Sequence, residues 1–209
     1  MKSTKLVLLF WVMCLSLQAQ SVRDVFSSPS LIWYGIDFSK AKFVGPQETW
    51  GENQKLKDTY FPAWNNFVLS EPDKYNLKKT YKKDIVNIDL KPVKVQNDKV
   101  ATDNLIVTYG DVPMLSEASI VSHISNYADP SQKSLGLVFI VESFNKIKQK
   151  GLFHVVFFDV ATGKVFMIKT MEGDSGGIGL KNYWAKSIFN VLLQCEKSWG
   201  KWKKEAGVK

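Results

Sequence analysis

Apolar positions crowd together in one part of this chain and recur at regular intervals in others. From Leu135 to Met171 the sequence reads LGLVFIVES, a basic connector FNKIKQKG, then LFHVVFFDV, ATG and KVFMIKTM. Three strands are predicted here, since β-branched and aromatic side chains pack well on a pleated surface. Leu137, Phe139 and Val141 alternate with Val138 and Ile140, and both sets are apolar. A strand apolar on both faces is central, with something covering each side. Between 152–160 and 164–171, Asp159 can bond back to the turn backbone and Gly163 can take the positive φ of a short hairpin.

Weaker periodicities surround this stretch. Leu31 to Asp37 (LIWYGID) and Lys42 to Val44 read as strands, the second ending at Gly45-Pro46. Leu56, Tyr60, Trp64, Phe67 and Val68 recur at helical spacing, with Pro62 expected to kink or split the helix. Residues 70–83 are polar and basic, and read as a loop or a short exposed helix. Ile85 to Val95 alternates cleanly, which predicts a strand with one wet face, and Pro92 marks an edge or an end. A turn cluster at Asn97–Asp103 and a short strand at Leu105–Tyr109 follow. Pro113 opens a helix expected over Met114–Ala128, and Pro130 stops it. Over 181–203, Trp184, Ile188, Val191, Leu192, Cys195, Trp199 and Trp202 form one helical stripe opposite Lys186, Asn190, Lys197 and Lys204. The expected fold is α/β or α+β: one mixed or antiparallel central sheet of about five strands, helices covering it, and a long C-terminal amphipathic helix.

The beginning of the chain follows different rules. Lys2 and Lys5 precede an apolar run from Leu6 to Leu17, and Gln18-Ala19-Gln20 supplies a small residue for cleavage. Residues 1–19 therefore read as a secretory signal peptide, too short to span a bilayer. Residues 20–30 read as a leader and 31–209 as a single domain, within the reach of one core for a chain of 209 residues. Cleavage would remove Cys14 and leave Cys195 alone, so the exported chain would have no internal disulfide. Cys195 lies on the apolar stripe, where a thiol behaves as a small hydrophobe. Two lysines would leave with the signal, taking the net charge from +8 to +6. An exported basic protein meets anionic lipid and polyanions of an envelope rather than nucleic acid.

Gly173-Asp174-Ser175-Gly176-Gly177 matches the string around the nucleophile of chymotrypsin-like proteases. Such enzymes need a histidine base and an acid brought to the serine. Neither His123 nor His154, the only histidines, has the expected context, and a long helix follows Ser175 instead of further strands. A loop carrying the chain from strand to helix is the simpler explanation. Its backbone at Ser175, Gly176 and Gly177, with Lys181 beginning the helix, is nonetheless a candidate anion-binding rim. Glu142, at the end of an apolar strand, is a second ligand-binding candidate. No catalytic residue, metal-ligand spacing or cofactor motif is identified. Trp199 and Trp202, beside Lys201 and Lys204, suggest a basic aromatic surface for a partner or membrane interface.

The run Leu137–Val141, then Phe153–Asp159 and Ala161-Thr162-Gly163-Lys164-Val165, resembles small α/β modules of envelope proteins. These include the N-terminal module of translocation protein TolB, the curli secretion lipoprotein and activators of penicillin-binding proteins. The shared residues are Asp159, Thr162, Gly163 and Val165 of the hairpin turn; the insertion at 45–83 and the GDSGG loop depart from the pattern. The Gln-Ala-Gln region also resembles secreted proteins of unknown function from Bacteroides-type bacteria. What the resemblance implies is a non-catalytic envelope or periplasmic role through protein or envelope contacts. The chain would be exported to the periplasm or beyond, free or membrane-associated, without a transmembrane segment once processed. The alternatives are a hydrolase using the 173–179 loop rim, and a small-ligand carrier with a deep apolar cavity beside Trp33, Trp50 or Trp64.

Overall fold

The structure, a computed structural model, describes residues 21–109 and 114–208. The expected signal peptide and Pro113 lie outside the described residues. In chain order the elements are α1 (Ser21–Ser27), β1 (Ser30–Asp37), β2 (Lys42–Val44), α2 (Phe61–Ser70), α3 (Leu77–Tyr81), β3 (Ile85–Ile88), α4 (Lys91–Asp98), β4 (Ile106–Val107), α5 (Glu117–Ile124), β5 (Leu135–Asn145), β6 (Lys150–Asp159), β7 (Val165–Asp174) and α6 (Leu180–Glu205). The leader is no loose segment, for α1 buries Val25 in the main core and β1 already begins at Ser30.

β5 is the axis of a curled sheet of seven strands among the described residues. One side of it pairs with β1 through Gly136–Ile140 and then with β2 through Ser143–Asn145, so β1 and β2 lie end to end. β3 adds outside β1, and β4 outside β2. These four pairings are all parallel, so the sheet is mostly parallel and the antiparallel alternative is corrected. Antiparallel pairing is confined to β5–β6 and β6–β7. The parallel part arises because helices, rather than tight turns, return the chain between β2, β3, β4 and β5.

Both faces are covered. On one, Leu31, Trp33, Leu137, Phe139, Phe153, Val155 and Phe157 pack against α1, α2, α3 and α6. On the other, Ile32, Tyr34, Val138, Ile140, Val156 and Phe158 meet Val93 of α4, Ile120 and Ile124 of α5, and Tyr127. The hairpin turn forms as its residues suggest: Asp159 Oδ1 accepts from Ala161 N–H, Oδ2 accepts from Thr162 Oγ1, and Gly163 has φ of 70°.

Three local expectations need correcting. Pro62 does not break its helix but widens it: Leu56–Tyr60 is π-helical and α2 starts with proline in its first turn. Proline supplies no N–H and crowds the preceding turn, which loosens the ladder there. α3 is not exposed; Leu77, Thr80 and Tyr81 are buried, and Asn76 Oδ1 caps it by accepting from Lys79 N–H. The alternating run 85–95 is a strand only to Ile88; Pro92 then stands in the first turn of α4, where its missing N–H costs nothing.

Candidate ligand-binding cleft and buried polar layer

β3 ends opposite Trp33, while β1 continues to Asp37. Beyond that point, among the described residues, no strand lies along the outer edge of β1, and two asparagines take a strand's place. Asn65 of α2 accepts from Ile36 N–H at 2.7 Å and donates to Ile36 C=O at 2.9 Å and Phe61 C=O at 3.2 Å. Asn97 of α4 accepts from Phe38 N–H at 2.7 Å and donates to Ile36 C=O at 3.1 Å. A buried backbone group must be paired somewhere, and here helix side chains do it. Gly35 makes the approach possible: it sits at the register shift of β1 with φ of 101°, and a Cβ there would overlap Asn65 Oδ1.

Between α2, on one face of the sheet, and α4, on the other, lies a cleft of about 370 Å³. Phe61, Pro62, Ile88, Leu90 and Val93 form its apolar wall, and Lys57, Lys91, Lys94, Asp89 and Asp98 also line it, Lys94 being paired with Asp98. In open α/β sheets the crevice beyond the carboxyl ends of strands, where flanking helices part to opposite faces, is where ligands bind. The asparagines are already engaged with the backbone, so the cleft offers chiefly apolar surface. Trp33, Trp50 and Trp64 line no part of it; all three are buried in the main core, which corrects the expected position of a carrier cavity.

Both histidines are buried against carboxylates on the α5 side. Asp37, the last residue of β1, accepts from His123 Nε2 at 2.6 Å, Tyr127 Oη at 2.5 Å and Ser39 N–H at 2.7 Å. Burial alone would raise the Asp37 carboxyl, but the hydrogen bond and charge of His123, with bonds from Ser39 and Tyr127, hold it below its usual 3.8. Glu142 Oε2 accepts from His154 Nε2 at 2.7 Å and Leu115 N–H at 3.1 Å, while Thr170 Oγ1 lies 3.0 Å from His154 Nδ1. Glu142 is thus turned inward, 2 % exposed, and tied into the protein rather than offered to a ligand.

This layer contains a serine, a histidine and an aspartate, and the geometry decides what they can do. Ser39 Oγ is 3.2 Å from His123 Nε2, the same nitrogen that Asp37 engages. A relay needs the acid on one ring nitrogen and the nucleophile on the other, so this arrangement orients α5 and activates nothing.

The glycine loop is separate from both histidines. Ser175 donates from its N–H and its hydroxyl to Gln149 C=O, at 2.9 and 2.8 Å. Gly176 N–H is bound to Tyr183 C=O, which leaves the expected anion nest with two donors already used. Gly177 is exposed, and the Lys181 ammonium lies 4.8 Å from the Phe67 ring. Trp199 and Trp202 are 5 % and 6 % exposed and pack inward, Trp199 against Phe26, Tyr81 and Phe157. The basic aromatic surface expected there is therefore reduced to its lysines, Lys201 and Lys204, which remain exposed.

No known family, characterised protein or solved structure matches the chain. Function has to be argued from the site itself. Among the described residues, no group of three or more His, Cys, Asp or Glu side chains could hold a metal ion, and no helix is long and apolar enough to cross a membrane. Sequence reasoning missed the cleft because its walls come from segments separated in sequence and joined only by the fold. Its one signal was Asn65, a polar residue on the otherwise apolar face of a helix.

Proposed function

We propose that this chain is an exported, non-catalytic binding protein of the cell envelope, and that the cleft between α2 and α4 is its ligand site. The cleft carries the reading: it is mostly apolar, large enough for one amphiphile or one bulky side chain, and lies at the carboxyl ends of β1 and β3. The bonding of the two serines speaks against catalysis. Ser175 spends its hydroxyl on a backbone carbonyl, and Ser39 shares its imidazole nitrogen with Asp37.

Anilinonaphthalene sulfonate, an apolar fluorophore with one anionic group, is a direct probe. The expected result is saturable binding of one dye per chain, weakened at least about five-fold by Ile88→Asp, a loss of roughly 1 kcal/mol. Ile88 is 46 % exposed, so the variant keeps its fold. Dye binding that ignores Ile88→Asp and a Leu90→Trp filling variant would overturn the assignment. A protein partner has one observation in its favour: Ile85 and Ile88 are exposed on β3, which among the described strands pairs only with β1. An extended segment could add there and send a side chain into the cleft.

A further inference from the structure

One end of the molecule carries two apolar tips set among lysines. The turn between β5 and β6 raises Ile147, 60 % exposed, with Lys146, Lys148 and Lys150 around it. The loop between β7 and α6 raises Ile178, 92 % exposed. The two loops are tied together: Ser175 bonds twice to Gln149 C=O, and Lys150 stands opposite Asp174 in the β6–β7 register. Lys181 and Lys186, in the first two turns of α6, belong to the same end, and the Lys186 side chain runs beside Gly176. Among the described residues, Lys74, Lys146, Lys150, Lys181 and Lys186 stand at this end with three acids, Glu71, Glu172 and Asp174; Glu172 is paired with Lys150 at 2.8 Å and Glu71 with Lys74 at 2.9 Å.

We infer that this end docks on an anionic lipid bilayer, with Ile147 and Ile178 entering the interface and the lysines meeting the headgroups. Ile178 is almost wholly in water and Ile147 mostly so, and they stand on loops joined by the Ser175–Gln149 bonds. Basic side chains around such a pair fit the chemistry of an anionic membrane surface. A soluble polyanion would use the lysines and leave the isoleucines idle. The inference extends the envelope reading to a second surface and does not depend on the cleft.

The test is flotation of the chain from Gln20 onward, which contains every described element, with phosphatidylcholine vesicles with or without phosphatidylglycerol. Binding is expected only with phosphatidylglycerol and should weaken as salt rises. Ile147→Asp and Ile178→Asp should each lower affinity about ten-fold, and Lys181→Ala and Lys186→Ala about five-fold each. Ile88→Asp, which alters only the cleft, should bind vesicles unchanged. Equal binding to both vesicle types, no binding to either, or full binding by both isoleucine variants would each overturn the proposal. In the last case, competition by heparin would identify a general polyanion surface instead.

Discussion

Replacing Asn65 tests whether a side chain truly stands in for a missing strand. Asn65→Ala removes the side-chain acceptor of Ile36 N–H, while Ile36 C=O keeps Asn97. An orphaned buried donor costs about 1–3 kcal/mol and the vacated amide volume roughly another 1 kcal/mol, giving about 2–4 kcal/mol in all. That corresponds to a fall in Tm of roughly 5–15 °C for a domain of this size. Asn65→Asp keeps the acceptor but turns a carboxylate oxygen toward Ile36 C=O and Phe61 C=O, where the amide had donated. It should be worse than alanine at neutral pH and should recover toward pH 5, because a protonated carboxyl can donate again. Urea unfolding followed by tryptophan fluorescence at both pH values measures all of this. A cost below about 0.5 kcal/mol for Asn65→Ala, or equal costs for the two variants at pH 7, would refute the surrogate-strand argument.

Other outcomes follow from the same packing. Trp199→Ala should destabilise the fold by about 3–5 kcal/mol, read by urea denaturation, rather than alter binding to a partner. The Asp37 carboxyl titrates below its unfolded value of 3.8, so the unfolded chain binds the proton more readily and stability rises with pH. That contribution is complete above the unfolded value and is lost as pH falls through the folded one; Asp37→Asn should flatten this acid limb of the stability profile. Burial pushes the Cys195 thiol up to about 12, so thiol reagents should label it only on unfolding. Lys83 donates to Val25 C=O and Ser28 C=O at 2.7 and 2.6 Å. Lys83→Met should therefore release α1, seen as faster amide exchange over residues 21–28 while the sheet stays protected.

What the sequence conveyed and what it hid divide along physical lines. The paired strands β6 and β7 and the stripe of α6 were legible, because period-two and period-3.6 patterns are local and strong. Alternation misled at Ile85–Val95, since a short helix carrying few apolar residues leaves a pattern that a strand can imitate. The burial of Trp199 and Trp202 was half legible: the stripe showed their face, but not that α1 would cover it. The bonds from Asn65, Asn97, His123 and His154 could not be read. Each joins residues far apart in sequence, or on neighbouring strands whose pairing is itself a product of the fold. Nothing about a histidine in isolation says that a carboxylate awaits it.

The contact between Phe26 and Trp199, ring centroids 4.8 Å apart, has a consequence for assembly. α1 lies against β7 and, through Phe26, against the far turns of α6, and Lys83 holds the helix by its carbonyl end. One side of the hydrophobic layer is thus closed by pieces from opposite ends of the described chain. Contacts so remote in sequence form late and slowly. A nascent chain of this kind keeps that side of its core open until the last helix has been made.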